Sequence, residues 1–465
     1  MSHSLVVVNG WAPPEPHPAS ADDGNVGSRR NATSTSPDPP RSEWCGHAAV
    51  VGSGDDRRKS TWTDRRGGDL MDAMPSSDIL SVLRDGRPRT KTEIAELTGR
   101  VRSTVSLRLA ELIEDGLVTE LPASGGLGRG RPSARFAMAT QSRVIGAVEL
   151  GARHALVAMT DLTGVVLRQE RLRLDVRRGP VEVLDLIVRA LGDQLDAIGR
   201  PAGSVVGIGL GVPGPVDPRT STLTAPPLMP GWDSYDIAGH LRSTFPVPVI
   251  VDNDVNVMAV GEWVTRWPDE QDLLVVKVAT GIGAGVIAAG RLVQGARGAG
   301  GDIGHIPVEA AGERPCGCAQ VGCLETFASG RGIAMTLREQ GVDVTEAVEV
   351  VALVHEGDPA AMRAARDAGG EIGRVLSVLV AGLNPAAIVL GGDVAEAGQP
   401  LLAGVREAIY ARAQPIATNA VEIVISADPE GSTITGAARL VQNYLFGLPE
   451  RPVVYYQAAD QRRRA

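Results

Sequence analysis

From residue 143 to residue 447 the chain keeps switching between two hydrophobic periods, and that switching restricts its fold more than any other feature. Apolar runs at 144–157, 165–174, 205–212, 247–251, 273–278, 286–289 and 387–390 have the length and branched-residue content of strands. Longer amphipathic stretches, notably Val181 to Ile198 and Met362 to Leu383, lie between them and read as helices. Strands alternating with helices through short Gly turns predict a layered α/β unit, placed at 141–447. With 43% hydrophobic and 22% charged residues the chain has the composition of a globular protein. No apolar run reaches the roughly 18 residues of a membrane helix. The apolar start, Met1 to Gly10, lacks the basic flank of a signal peptide, so the expected location is cytoplasmic. Residues 1–70, rich in Pro, Ser, Gly, Asp and Arg without periodicity, and residues 448–465, ending in Arg462-Arg463-Arg464, read as flexible tails.

Residues 71–140 have a different grammar. Ile79, Val82 and Leu83 mark a short amphipathic helix from Ser77 to Arg84. Thr90-Lys91-Thr92-Glu93 is a capping box that opens a second helix ending at Gly99. Val105, Leu109, Leu112 and Ile113 define a third, closed by Asp115-Gly116, although Val101 stands where a capping side chain is expected. A strand from Leu117 to Leu121, a Gly-rich tip and a second strand from Ala134 to Ala137 complete a winged helix-turn-helix. In such a unit the third helix enters the major groove of double-stranded DNA. Its apolar face leaves Ser103, Thr104, Ser106, Leu107 and Arg108 outward, and Arg129 and Arg131 sit at the wing tip, where a minor groove favours arginine. The chain's net charge of −9 does not oppose this, because the acidic excess lies beyond residue 140.

Three cysteines, Cys316, Cys318 and Cys323, cluster a short way after His305. One imidazole and three thiolates make the donor set of a closed tetrahedral zinc site, structural because no coordination position stays open. Elsewhere Asp252-Asn253-Asp254-Val255-Asn256 follows an apolar strand, a position that puts carboxylates at the mouth of an α/β cleft. The run Ala279 to Gly285 reads as a Gly-rich turn between two strands, able to offer backbone N–H groups to a phosphate.

Together these segments resemble the ROK family (repressors, open reading frames and kinases), over about residues 143–447, with the helix-turn-helix ahead matching its repressor branch. The most specific matches are Gly301-Asp302-Ile303-Gly304-His305, the cysteine run, and Gly211-Val212-Pro213-Gly214-Pro215-Val216-Asp217. The resemblance implies an actin-like, ribonuclease H-like sugar-kinase fold of two lobes. It implies zinc on His305, Cys316, Cys318 and Cys323, and sugar contacts from Gly214, Asn253, Asp254, His305 and Glu325. Asp302 stands where the family usually has Glu. Asp254 occupies the position of the base in family kinases. Those kinases carry Asp-x-Gly-Gly-Thr in a first phosphate loop, whereas this chain has Glu149-Leu150-Gly151-Ala152-Arg153-His154. A Cβ and a long side chain then stand where backbone must approach phosphate, which argues against ATP binding and leaves Asp254 as a vestigial base. Ala319 also replaces the family's usual Gly after the second cysteine. The expectation is a non-enzymatic regulator: a homodimeric or homotetrameric repressor of carbohydrate genes, released from its operator by a sugar. The alternative is an ATP-dependent sugar kinase with an appended DNA-binding domain.

Overall fold

The computed structural model describes residues 77–122 and 133–446. The two expected tails and the wing tip with Arg129 and Arg131 lie outside the described residues. Helices Ser77–Leu83, Lys91–Thr98 and Arg102–Glu114 precede the strands Val118–Leu121 and Arg135–Met138. Thr90 caps the second helix as its sequence demands: its side chain accepts from the Glu93 amide, and Glu93 returns the bond to the Thr90 amide. Val101 opens the third helix with no side-chain cap. The wing gains a third strand that the sequence did not announce. Arg89–Thr90 pairs antiparallel with Arg135 and Phe136, so the sheet runs 89–90, 135–138, 118–121.

The remaining chain forms two lobes, each with a five-stranded sheet. In the first sheet the strands Val144–Leu150, His154–Thr160 and Val166–Arg173 run antiparallel, and Val205–Val212 and Val249–Asn253 add in parallel on the other side of Val144–Leu150. The second sheet repeats the plan with Leu273–Val278, Ile282–Ala288, Arg291–Leu292, Ala387–Gly391 and Glu422–Ile425. Read in chain order, both sheets are arranged third, second, first, fourth, fifth. This is the actin-like architecture, and among the described residues no helix is long and apolar enough to cross a membrane.

Three sequence expectations change here. The run 144–157 is two strands folded back at Gly151–Arg153, because both strands are buried and their apolar runs merge. Ile282–Ala288 is one strand, so Gly283 and Gly285 belong to it and not to a turn. A Cβ on Gly283 would lie 3.1 Å from Val255 Cγ1, and one on Gly285 2.7 Å from the Val255 carbonyl oxygen. These glycines let the helix Asp254–Arg266 lie close on the sheet, a packing role and not a phosphate cradle. The strand before that helix runs through Asn253, held by parallel pairing of Asp252 and Asn253 with Gly211 and Val212.

The helix Pro429–Phe446 packs along Asp254–Arg266 and returns to the DNA-reading unit. Leu440, Leu445 and Phe446 share one buried cluster with Ile79, Leu80, Leu83, Ile94, Leu109 and Phe136. The reader and the first lobe therefore have a common core.

Candidate ligand cleft, metal cluster and DNA-reading helix

Asn253 ends a strand and caps the next helix, so its side chain is fixed from two sides. Its Oδ1 accepts from the amides of Val255 and Asn256, and its Nδ2 donates to the Gly214 carbonyl at 3.0 Å. Asp254, the first residue of the helix, accepts through Oδ2 from Lys277 Nζ at 2.9 Å. Lys277 also donates to Glu149 Oε1 at 2.6 Å. Both carboxylates come from the first lobe and the ammonium from the second. Glu149 is buried, and Lys277 and Asp254 are partly buried at 14% side-chain exposure each. Burial works against the Lys277 charge, but Asp254 and Glu149 outweigh it and raise the ammonium pKa. Arg153 adds a second, exposed bridge across the lobes, 2.8 Å from Glu346.

Sequence reasoning passed over Lys277 and Gln294, and read Asp252 and Asn256 only as members of the motif at the cleft mouth. Asp252 is buried and accepts from Asn256 Nδ2 at 3.0 Å, from the Asn253 amide at 2.7 Å and from Gln294 Nε2 at 2.7 Å. Burial pushes its carboxyl up to about 6, against the pull of those three donors.

On the neighbouring rungs of the second sheet, Lys277 pairs with Gly283 and Val278 with Ile282. The Ile282 amide donates to Glu325 Oε2 at 3.3 Å. Burial raises the Glu325 carboxyl, with His305 opposing. Asp254 and Glu325 thus flank one hairpin. His305 closes a single turn of 3-10 helix, with Nε2 3.9 Å from Asp302 Oδ1 and Nδ1 3.4 Å from Cys316 Sγ. Asp302 itself is exposed.

The ligand atoms of His305, Cys316, Cys318 and Cys323 all lie within 4.8 Å of one another, and Cys318 Sγ stands 3.7 Å from Cys323 Sγ. Zinc–sulfur bonds of about 2.3 Å in a tetrahedron require sulfur separations close to that. The four side chains therefore fit a metal ion. Burial, then Cys318 and Cys316, push the Cys323 thiol up to about 12, the state a bound dication would reverse.

On the reading helix Arg102, Ser103, Leu107 and Ala110 are exposed, while Thr104 and Ser106 are half-buried. Arg108 is half-buried too, and its Nη1 is tied to Glu111 at 2.8 Å. Arg102, which the apolar spacing offered no reason to choose, is the arginine displayed at the helix start.

The IclR helix-turn-helix profile matches residues 76–122, and the ROK family profile matches residues 145–444. The putative xylose repressor of Caldicellulosiruptor sp. (strain Rt8B.4) is 28% identical over 386 residues, covering 80% of this chain and 96% of its own length. A glucokinase of Halalkalibacterium halodurans is 29% identical over 310 residues, 63% of this chain and 94% of its own. Among solved structures, a ROK family transcriptional regulator described as a homologue of E. coli MLC superposes with a TM-score of 0.69 at 21% identity, covering 81% of this chain and 97% of its own. The ROK family match spans well over half of the chain, and the chain belongs to the ROK family.

Proposed function

We propose that the chain is a sugar-responsive DNA-binding transcriptional repressor of carbohydrate genes. One observation carries this: a winged helix-turn-helix shares its hydrophobic core with the first lobe of a two-lobed cleft that still holds Gly214, Asn253, Asp254, His305 and Glu325. The exposed face of Arg102, Ser103 and Leu107 suits a major groove, with Thr104, Ser106 and Arg108 at its margin. Arg129 and Arg131 are proposed to hold the wing tip on the duplex. The sugar binds through Asn253, Asp254, Asp302, His305 and Glu325 beside the Gly214 turn. His305, Cys316, Cys318 and Cys323 hold one structural zinc, which cross-links a loop lacking a core of its own. Two or four copies act together, because paired half-sites need paired readers.

Sugar weakens operator binding by closing the lobes, so the coupling is reciprocal and of the order of 1–3 kcal/mol. Titrating a duplex selected by the wild-type protein with glucose, xylose and N-acetylglucosamine tests this. Release by one of them, lost in Asp254→Ala, is expected. Tightening by every active sugar would overturn the repressor assignment.

The chain does not act as a sugar kinase. Asp254 keeps the position of a base, and that observation, with the glucokinase relative, favours the second reading. Against it, both Asp254 oxygens already accept hydrogen bonds, Oδ1 from the Val255 amide and Oδ2 from Lys277 Nζ. Arg153 and Ala152 occupy the loop that would face phosphate. A coupled assay over a sugar panel should give no ADP above background. Turnover of the order of 1 s⁻¹ or more would restore the kinase.

A further inference from the structure

Arg143 immediately precedes the central strand Val144–Leu150, at the opposite end of that strand from Glu149. Its guanidinium reaches the reader. Nη2 donates to the Asp115 carbonyl at 2.9 Å and Nε to the same oxygen at 3.2 Å. Nη1 donates to the Gly203 carbonyl at 3.0 Å, on the turn that leads into the strand Val205–Val212. Ser142 Oγ donates to the Gly116 carbonyl at 2.8 Å. Asp115 is the C-cap of the reading helix and Gly116 the residue after it. One cation thus caps the carbonyl end of that helix, where positive charge is favoured. The same cation ties it to the strand whose far end carries the Gly214 turn.

Packing supports the same arrangement. The helix Pro429–Phe446 lies against Ser77–Leu83 and inserts Leu445 and Phe446 into the reader's core. Gln442 Nε2 anchors it further by donating to the Leu162 carbonyl at 3.0 Å. A reader swinging on a free linker would show neither a polar clamp nor a shared core.

We propose that Arg143 is the positioning residue for DNA reading: it clamps the C-terminal end of the recognition helix to the first lobe, so reader and lobe move as one body. The inference rests on the DNA-binding reading above. Its consequence is that lobe movement changes the spacing between the readers of an assembly, and not the tilt of a reader on its own lobe.

The test uses the full chain, with wild type, Arg143→Ala and Arg143→Lys. Hydrogen exchange of the free proteins should rise over residues 102–116 in Arg143→Ala while the lobes stay protected. Binding to a duplex enriched by wild type from a random pool should weaken threefold to about tenfold, the worth of a few charge-assisted bonds. The slope of log affinity against log salt should stay that of wild type, because Arg143 faces carbonyls and not phosphate. Arg143→Lys, which keeps charge and one donor, should recover part of both effects. Unchanged exchange and affinity in Arg143→Ala would overturn the proposal. So would a salt slope reduced by about one unit, which would make Arg143 a phosphate contact. If no duplex enriches, DNA binding itself fails, while the exchange experiment still decides whether the clamp exists.

Discussion

The two lobes repeat one topology and then treat equivalent positions in opposite ways. In each, the first strand ends in a hairpin whose turn faces the other lobe: Gly151–Arg153 after Val144–Leu150, and Ala279–Gly281 after Leu273–Val278. The penultimate residue of each first strand points into the cleft. It is Glu149 in one lobe and Lys277 in the other, and they meet at 2.6 Å. The turns differ as well. At the first, the His154 imidazole folds over the glycine, so that a Cβ on Gly151 would stand 2.6 Å from its Cε1. Burial, then Arg171, lowers the pKa of that imidazole. At the second, a Cβ on Gly281 would stand 2.8 Å from Glu325 Oε2, on the ligand side of the cleft. One hairpin is filled by its own side chains and the other is open to Glu325, which comes from a later helix. A duplicated scaffold can therefore fill equivalent turns differently with no change in strand order.

The largest effect should come from the open side. Cys318→Ser removes one of four converging ligands. Structural zinc contributes of the order of 10 kcal/mol to folding the segment it closes. Metal analysis of purified protein should give about one zinc per chain, falling sharply in the variant together with protection of residues 305–323 from exchange. Equal zinc in both proteins would end the assignment. The filled side comes next. Lys277→Met strands two buried carboxylates and should cost about 3–5 kcal/mol in urea unfolding. Glu149→Gln combined with Lys277→Met should cost less than the single change, because one stranded charge is gone. A single variant within about 0.5 kcal/mol of wild type would mean that the bridge between the lobes is energetically idle.

Local chemistry was legible in the sequence, and chemistry assembled across the fold was not. Thr90 and Glu93 announce their helix because a capping box is complete within four residues. Cys316, Cys318 and Cys323 announce a metal because thiols so close have few other uses. Lys277 stayed hidden because a lone lysine in an apolar strand normally reaches water, and only the opposite lobe supplies its two carboxylates. The turn at Gly151–Arg153 was missed because it lacks the Asn-Gly or Asp-Gly pair that marks a tight hairpin. The strand Glu422–Ile425 is short and sits at a sheet edge, so its pattern is weak. Arg108 looked free on a helical wheel, yet Glu111 one turn on draws it down. Asp252 reads as a carboxylate at the cleft mouth, yet strand pairing with Gly211 buries it.

Asp252 gives the first lobe a pH dependence of its own. Its carboxyl titrates at about 6 when folded, against an ordinary value of 3.8. The folded protein keeps a proton that the unfolded chain releases. Stability from this group is therefore greatest below pH 4, falls as pH rises from about 4 to about 6, and is flat above. The fall should be about 2–3 kcal/mol. Asp252→Asn removes the titration. Urea midpoints for the two proteins should lie closest at pH 4.5, where the Asp252 carboxyl is protonated as the neutral amide mimics, and separate at pH 7, the variant gaining on wild type as pH rises. A difference constant over that range would mean that Asp252 is ionised throughout.

The smallest effect lies back on the open side, at Ala319. This residue sits between the second and third cysteines with φ of 66°, the left-handed region where a Cβ crowds the following carbonyl. It cannot relax out of that conformation. Its amide donates to the Cys316 carbonyl at 3.1 Å, and the Cys316 amide donates to the Gln320 carbonyl at 2.8 Å, so the turn that brings Cys316 and Cys318 together requires it. A glycine there loses the steric penalty of about 1–2 kcal/mol. It also makes the unfolded chain freer, which returns about 0.4–1 kcal/mol of that gain. Ala319→Gly should therefore stabilise the zinc-loaded protein by about 0.5–1 kcal/mol, a rise of about 1–2 °C in Tm. The same variant should leave the urea midpoint of the Lys277→Met background shifted by an equal amount, since the two sites share no partner. If Ala319→Gly instead lowers Tm, the alanine methyl makes contacts that outweigh its backbone strain. The cysteine turn would then be held by packing of its own side chains as the Gly151–Arg153 hairpin is.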